Sequence, residues 1–214
     1  MRAAAALTWP VPALAAVVPP IARAYRVQCD RPGGSAPLIT FDDGPHAQGT
    51  PAVLDRLDAV GTKALFFLVG EQVERDPGLA REVLARGHEI GVHCHRHRNL
   101  LRVTPRGFRT DLDRAHAAIT TATGEEPRLY RPPYGILTTA TLPEVQRRGW
   151  TLQLWTRWGR DWTRRATPGT IAARVLRDGP LRPRDVVLLH DSDAYSAPGS
   201  WQATAAALDR ILSR

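Results

Sequence analysis

The chain has 214 residues, 43% hydrophobic and 23% charged, with a net charge of +8. That balance excludes a disordered or coiled-coil protein and fits one globular domain with a substantial core. The charge comes almost wholly from scattered arginines, without helix-turn-helix or zinc-finger spacing, so nucleic acid is not the expected partner; a solvated basic surface, or attraction to an anionic wall polymer or membrane surface, are the readings left.

Residues 1–35 read as an N-terminal arm. Arg2 precedes an apolar stretch, 3–22, broken by Pro10, Pro12, Pro19 and Pro20. A spanning helix wants ~20 apolar residues with few interruptions. The segment is therefore open to three readings: a signal peptide, an anchor, or an arm packed on the domain. Residues 36–214 form the expected folded domain. Apolar runs predict strands over 36–41, 63–69, 89–93, 128–130, 151–155 and 185–190. Amphipathic stretches predict helices over 51–59, 78–86, 105–121, 138–148, 168–177 and 201–212. Pro51, Pro105 and Pro168 stand near helix starts, and Gly61, Gly87, Gly124 and Gly149 near helix ends. The alternation of strand and helix argues for a parallel sheet with helices outside; it does not by itself separate an open sheet from a barrel.

The chemistry-bearing residues lie at or just past the ends of these strands, where parallel α/β proteins build their sites. Asp42 and Asp43 stand together on a Gly44-Pro45 corner after the first strand. Carboxylates that close repel unless a cation or shared proton relieves them. One of the two on a metal and the other free to take a proton satisfies that demand. His93 and His97 are four apart, and share a face if they lie on a helical turn. Asp43, His93 and His97 make a two-histidine, one-carboxylate donor set that leaves positions open for water and substrate. Its chemistry favours Zn²⁺, with Co²⁺, Ni²⁺, Mn²⁺ or Fe²⁺ as alternatives. Cys94, between the histidines, is expected to face away as a free thiol, a pairing with Cys29 being the alternative. His95 reads as structural.

Five segments occur in order: Thr40-Phe41-Asp42-Asp43-Gly44-Pro45, His93 to His97, Arg128-Leu129-Tyr130-Arg131-Pro132-Pro133-Tyr134-Gly135, Arg160-Asp161-Trp162, and Leu188-Leu189-His190-Asp191. Together they resemble the motifs of the polysaccharide deacetylases, carbohydrate esterases with a NodB-homology domain. The resemblance implies a distorted, incomplete (β/α) barrel with parallel strands and outer helices. It implies metal-assisted hydrolysis of N-linked acetyl groups on an N-acetylated glycan of the chitin or peptidoglycan kind. Relatives of that fold also cleave O-acetyl esters or small cyclic amides, and a non-catalytic glycan-binding module is the remaining alternative.

By the same resemblance Asp42 is the base, His190 the acid for the departing amine, Arg131 the cation that orients the base, and Asp161 the carboxylate that orients the acid. Pro132 and Pro133 stiffen a segment that would present the Tyr134 backbone N–H to an oxyanion. The Tyr134 ring, Trp162 and Leu188 would wall the acetyl pocket. Trp155, Trp158, Trp162 and Trp201 are candidates for sugar stacking, burial being the default for tryptophan.

Overall fold

Leu38-Ile39-Thr40-Phe41-Asp42 and Ala64-Leu65-Phe66-Phe67-Leu68 are buried at every position, as strands covered on both faces must be. In the computed structural model, which describes residues 11–15, 18–24 and 27–213, they form β1 (Leu38–Asp42) and β2 (Ala64–Leu68). The other strands are β3 (Glu89–Val92), β4 (Leu129–Tyr130), β5 (Thr151–Leu152), β6 (Arg157–Trp158) and β7 (Val186–His190). Every pairing is parallel, in the order β5-β4-β3-β2-β1-β7-β6.

Helices return the chain after every strand but β5, which a short crossing joins to β6. An N-terminal α1 (Pro19–Ala24) precedes the sheet. α2 (Gly49–Ala59) follows β1, α3 (Gly70–Arg75) and α4 (Pro77–Ala85) follow β2, and α5 (Pro105–Thr123) follows β3. α6 (Thr141–Arg147), α7 (Pro168–Val175) and α8 (Ser200–Ile211) complete the set. Their ends carry the expected signals. Thr104 accepts from the Gly107 amide ahead of Pro105, and Gly124 ends α5 in the left-handed region. Thr167 and Thr170 cap α7 reciprocally.

Two strand faces divide the core. Ile39, Phe41, Phe66, Leu68, Val187 and Leu189 turn outward into the main cluster beneath the helices. Leu38, Leu65, Phe67 and Val186 turn inward, and the alternation puts Thr40, Asp42, Leu188 and His190 on that same inner face. The sheet curls into a half-barrel. Leu152 in β5 and Arg157 in β6 belong to opposite sheet edges, yet five peptide units join them, a reach of at most about 18 Å. The two edges do not pair, so the barrel is incomplete, as expected. Gln28 instead bridges to Gln153, and its carbonyl accepts from the Leu154 amide at 2.8 Å.

The structure shortens several expected elements, three of them for a local reason, and adds α1, α3 and β6. The strand expected over 151–155 stops at Leu152, because the chain there leaves one sheet edge to reach the other. The helix expected over 138–148 starts at Thr141, after a turn in which the Thr138 amide donates to Thr141 Oγ1. The strand expected to include His93 ends at Val92. β6 and α3, of two and six residues, are too short to register as a hydrophobic period. Much of the apolar arm lies outside the described residues; of its described part, Ala15 and Ala22 are buried in the core. Among the described residues no helix is long and apolar enough to cross a membrane.

Candidate active site

Four non-glycine residues adopt left-handed backbone among the described residues: Asp43 (φ 77), Cys94 (φ 65), Tyr134 (φ 59) and Arg160 (φ 52). They follow β1, β3, β4 and β6. Such conformations are unfavourable for residues with a Cβ and persist where surrounding structure enforces them. Their clustering at the carboxyl ends of the strands marks one functional rim.

At that rim Asp43, His93 and His97 converge, each offering a ligand atom within 4.8 Å of the others. Asp43 Oδ1 lies 3.5 Å from His93 Nε2 and 3.2 Å from His97 Nε2. It is buried and has no hydrogen-bond partner. Burial alone would raise the Asp43 pKa, but the close approach of His93 and the fields of His190 and His97 hold it at about 2. Burial lowers the His97 pKa to about 4 against the pull of Asp43, leaving that imidazole neutral near pH 7. The His93 Nδ1 is 2.7 Å from the Arg131 carbonyl, so it donates there and turns the Nε2 lone pair toward Asp43. An ionised carboxylate oxygen with no donor, facing two imidazole nitrogens, fits a divalent cation.

The spacing of the histidines does not come from a helical turn. Residues 93–97 form a loop bent by the left-handed Cys94. α3 holds that loop, its Gly70 and Glu71 amides donating to the Cys94 and His95 carbonyls at 3.0 Å each. A Cβ on Gly70 would come within 2.6 Å of His95 Nδ1 and 2.9 Å of the α5 backbone at Ala115. Cys94 points away from the cluster, its Sγ 3.4 Å from Tyr130 Oη, and Cys29 is also free. His95 is buried behind the loop.

Asp42 faces the same space from the end of β1. Its Oδ1 accepts from Arg131 Nη1 at 2.7 Å, while Oδ2 lies 3.8 Å from His93 Nε2. Arg131 is fully buried and spends its donors fourfold, on Asp42, Thr40 Oγ1, and the Gln153 and Leu154 carbonyls. Across the cavity, Asp161 is fully buried and accepts from both His190 Nδ1 at 2.9 Å and the His190 amide at 2.7 Å. Burial would lower the His190 pKa; the charge and hydrogen bond of Asp161, with Asp43 and Asp42 beyond, raise it to about 10. His190 Nε2 points to Asp43 Oδ2 at 4.0 Å.

A cavity of about 210 Å³ joins these groups, with Tyr134, Trp162 and Leu188 in its wall. Trp162 stands edge-on to His190 at 5.4 Å, and Tyr134 edge-on to His97 at 4.5 Å. Trp155 and Trp158 continue the wall as a stack 6.2 Å apart. Trp201 lies outside it, beside His46.

Three supports were given no role by the sequence, although Asp191 closes the fifth motif segment. Thr204 Oγ1 donates to Asp161 Oδ2 at 2.8 Å. Asp191 packs its carboxylate against Gly44, where any Cβ would collide with it, and accepts from Thr50 at 2.5 Å. Burial lifts the Asp191 pKa to about 7, with the Thr50 bond opposing. Tyr195 stacks on His97 at 4.4 Å with rings 14° apart, and its hydroxyl donates to Glu71 at 2.6 Å and accepts from Gln72 at 3.1 Å.

Polar side chains gathered at the carboxyl ends of a curled parallel sheet place the chain among the α/β-barrel enzymes. The polysaccharide deacetylase family profile matches residues 30–152, and the chain belongs to that family of hydrolases. It is 32% identical over 174 residues to a peptidoglycan-N-acetylglucosamine deacetylase of Bacillus cereus, covering 81% of this chain and 61% of that protein. It is 38% identical over 165 residues to a chitooligosaccharide deacetylase of Bradyrhizobium sp., covering 76% and 73%. The chain thus spans less than two thirds of the Bacillus cereus relative and about three quarters of the other. A crystal structure of a peptidoglycan N-acetylglucosamine deacetylase in complex with an N-hydroxybenzamide superposes with a TM-score of 0.80 at 29% identity, covering 89% of this chain and 86% of that one. The matched profile stops before Asp161 and His190, so their place in the site rests on the geometry above.

Proposed function

We propose that this protein is a metal-dependent deacetylase of N-acetylglucosamine-containing glycans. The observation that carries the metal is the buried, donorless Asp43 Oδ1 between two imidazole Nε2 atoms. The substrate class follows from the relatives named above. The related crystal structure holds an N-hydroxybenzamide, a kind of group able to chelate a divalent ion.

A divalent ion, Zn²⁺ foremost, held by Asp43, His93 and His97 would polarise the acetyl carbonyl and bring the pKa of a water toward about 7. Asp42 takes the water proton on Oδ2, the oxygen that Arg131 leaves free. Arg131 keeps Asp42 aimed and charged. His190, held through Nδ1 by Asp161, gives a proton from Nε2 to the departing amine. The Tyr134 amide donates to the developing oxyanion. Leu188 and Trp162 enclose the acetyl methyl and exclude water.

The test is mass spectrometry of N-acetylated oligosaccharides after incubation with metal-loaded protein. We expect loss of one acetyl mass per site, abolition by chelation, and recovery with Zn²⁺ or Co²⁺. Asp42→Asn should lower kcat by about 10²–10⁴. Metal bound with no acetate released from any glycan refutes the reading.

A further inference from the structure

β1 and β7 run side by side as far as the Asp42–His190 pair, and their ladder ends there. The next residue on one side is the ligand Asp43, which leaves in left-handed backbone; the next on the other is Asp191. The ladder therefore does not fix Asp43 against the acid His190. Yet both must meet one substrate, and a misplacement of about 1 Å can cost about 100-fold in rate.

The Asp191 side chain spans that gap. It is 1% exposed and turns back across the corner after β1. Its carboxylate lies so close to Gly44 that a Cβ there would collide with both oxygens. Its carbonyl lies against Gly49, the first residue of α2, where a Cβ has no room either. Oδ2 accepts from the fully buried Thr50 Oγ1 at 2.5 Å, and that same hydroxyl oxygen accepts from the His46 amide at 2.8 Å. The corner from Asp43 to His46 is thus pressed at Gly44 and tied at His46. The residue after the acid holds the residue after the ligand.

Volume alone does not call for a carboxylate here. Asp191 Oδ1 is buried without a partner, a costly state for a polar atom that an apolar side chain would avoid. An apolar side chain could not take the Thr50 proton, and the link to the His46 amide would be lost. Asp191 is absent from the cavity wall, so it reaches the chemistry only through the corner. We infer that Asp191 is a positioning residue, which sets the metal-binding Asp43 in register with the acid His190 by clamping the corner between them. This deepens the deacetylase reading and rests on it.

Co²⁺ binding, read from visible absorption, and the split of kcat from KM test it. Asp191→Ala frees the corner. Thr50→Val keeps the shape of threonine but removes the hydroxyl that joins Asp191 to His46, and it carries the test if Asp191→Ala fails to fold. Each should weaken Co²⁺ about tenfold or more and alter the absorption band. Each should also lower kcat about tenfold while KM stays within about twofold. Thr50→Ser, which keeps the hydroxyl, should restore most of both. A lower Tm with Co²⁺ affinity, absorption and kcat unchanged would show the carboxylate serving stability alone and overturn the role. Equal losses in Thr50→Ser and Thr50→Val would overturn it too, since the hydroxyl link would then carry nothing. Should the unmutated chain bind Co²⁺ and release no acetate, the deacetylase reading fails and the Co²⁺ comparison decides for Asp191. Should it bind no Co²⁺, the metal centre falls and this role with it.

Discussion

Asp161 decides what His190 can be. Burial by itself drives an imidazole toward its neutral form, and the pKa of about 10 exists because a fully buried carboxylate sits 2.9 Å from Nδ1. That value lies above the unfolded one of about 6.5, so the protonated ring contributes stability in full below about pH 6.5 and loses it as pH climbs through about 10. Asp161→Asn removes the charge and leaves burial in control. Urea denaturation of the metal-free protein at pH 7 and pH 10 checks this. The unmutated chain should lose on the order of 3 kcal/mol between those values, and the Asn variant should stay nearly flat. An equal alkaline loss in both would exclude His190 as its source. The pairing was legible in the sequence only by resemblance, since positions 161 and 190 are 29 residues apart and no spacing rule links them. The donor set was more legible: two adjacent carboxylates and two histidines are a chemical statement before they are a geometric one.

The elements around that site act as braces on the histidine loop. α3 holds its Cys94 and His95 carbonyls from one side. From the other, the segment between β7 and α8 lays Tyr195 on His97 and ties its hydroxyl back to Glu71 and Gln72 of the same α3. A ligand braced on both faces loses little freedom on binding metal, and outer partners of this kind are typically worth about 10–100-fold in affinity. Tyr195→Ala should weaken Co²⁺ binding by about tenfold or more, read from the visible absorption of the titrated protein, while Tyr195→Phe, which keeps the ring, should retain most of it. Unchanged Co²⁺ affinity in Tyr195→Ala would show the stack to be incidental. None of this was readable from the chain. The four-residue spacing of His93 and His97 suggested a helical turn, whereas left-handed backbone at Cys94 achieves the convergence. The Tyr195–Glu71 bond spans 124 residues, and α3 is too short to leave a periodic trace. Local patterning has no access to contacts at that range.

At the scale of the whole molecule, strand and helix order was legible because fully buried strands leave apolar runs and helices leave capped, amphipathic ones. That the sheet curls into an incomplete barrel was legible only through the family resemblance, because what draws its edges together is contact between residues far apart in the chain. Arg131 lies in the barrel interior over the Phe67 ring, 4.1 Å from its centroid, and bonds the Gln153 and Leu154 carbonyls where the chain crosses between sheet edges. The same guanidinium holds Thr40 and Asp42 of β1, so barrel closure and base orientation are one device. Burial depresses its pKa and the Asp42 charge opposes that, so the ion pair is favourable only with its hydrogen bonds complete. Lysine keeps the charge but cannot reach four acceptors from one ammonium. Arg131→Lys should leave the crossing carbonyls unsatisfied and cost about 3 kcal/mol, a fall in Tm of about 6–12 °C for a domain of this size. It should also lower kcat more than it raises KM, since Asp42 would be held by charge but not by geometry. A variant that melts with the unmutated protein would show that the crossing closes the barrel without the guanidinium, and the shared device would have to be abandoned.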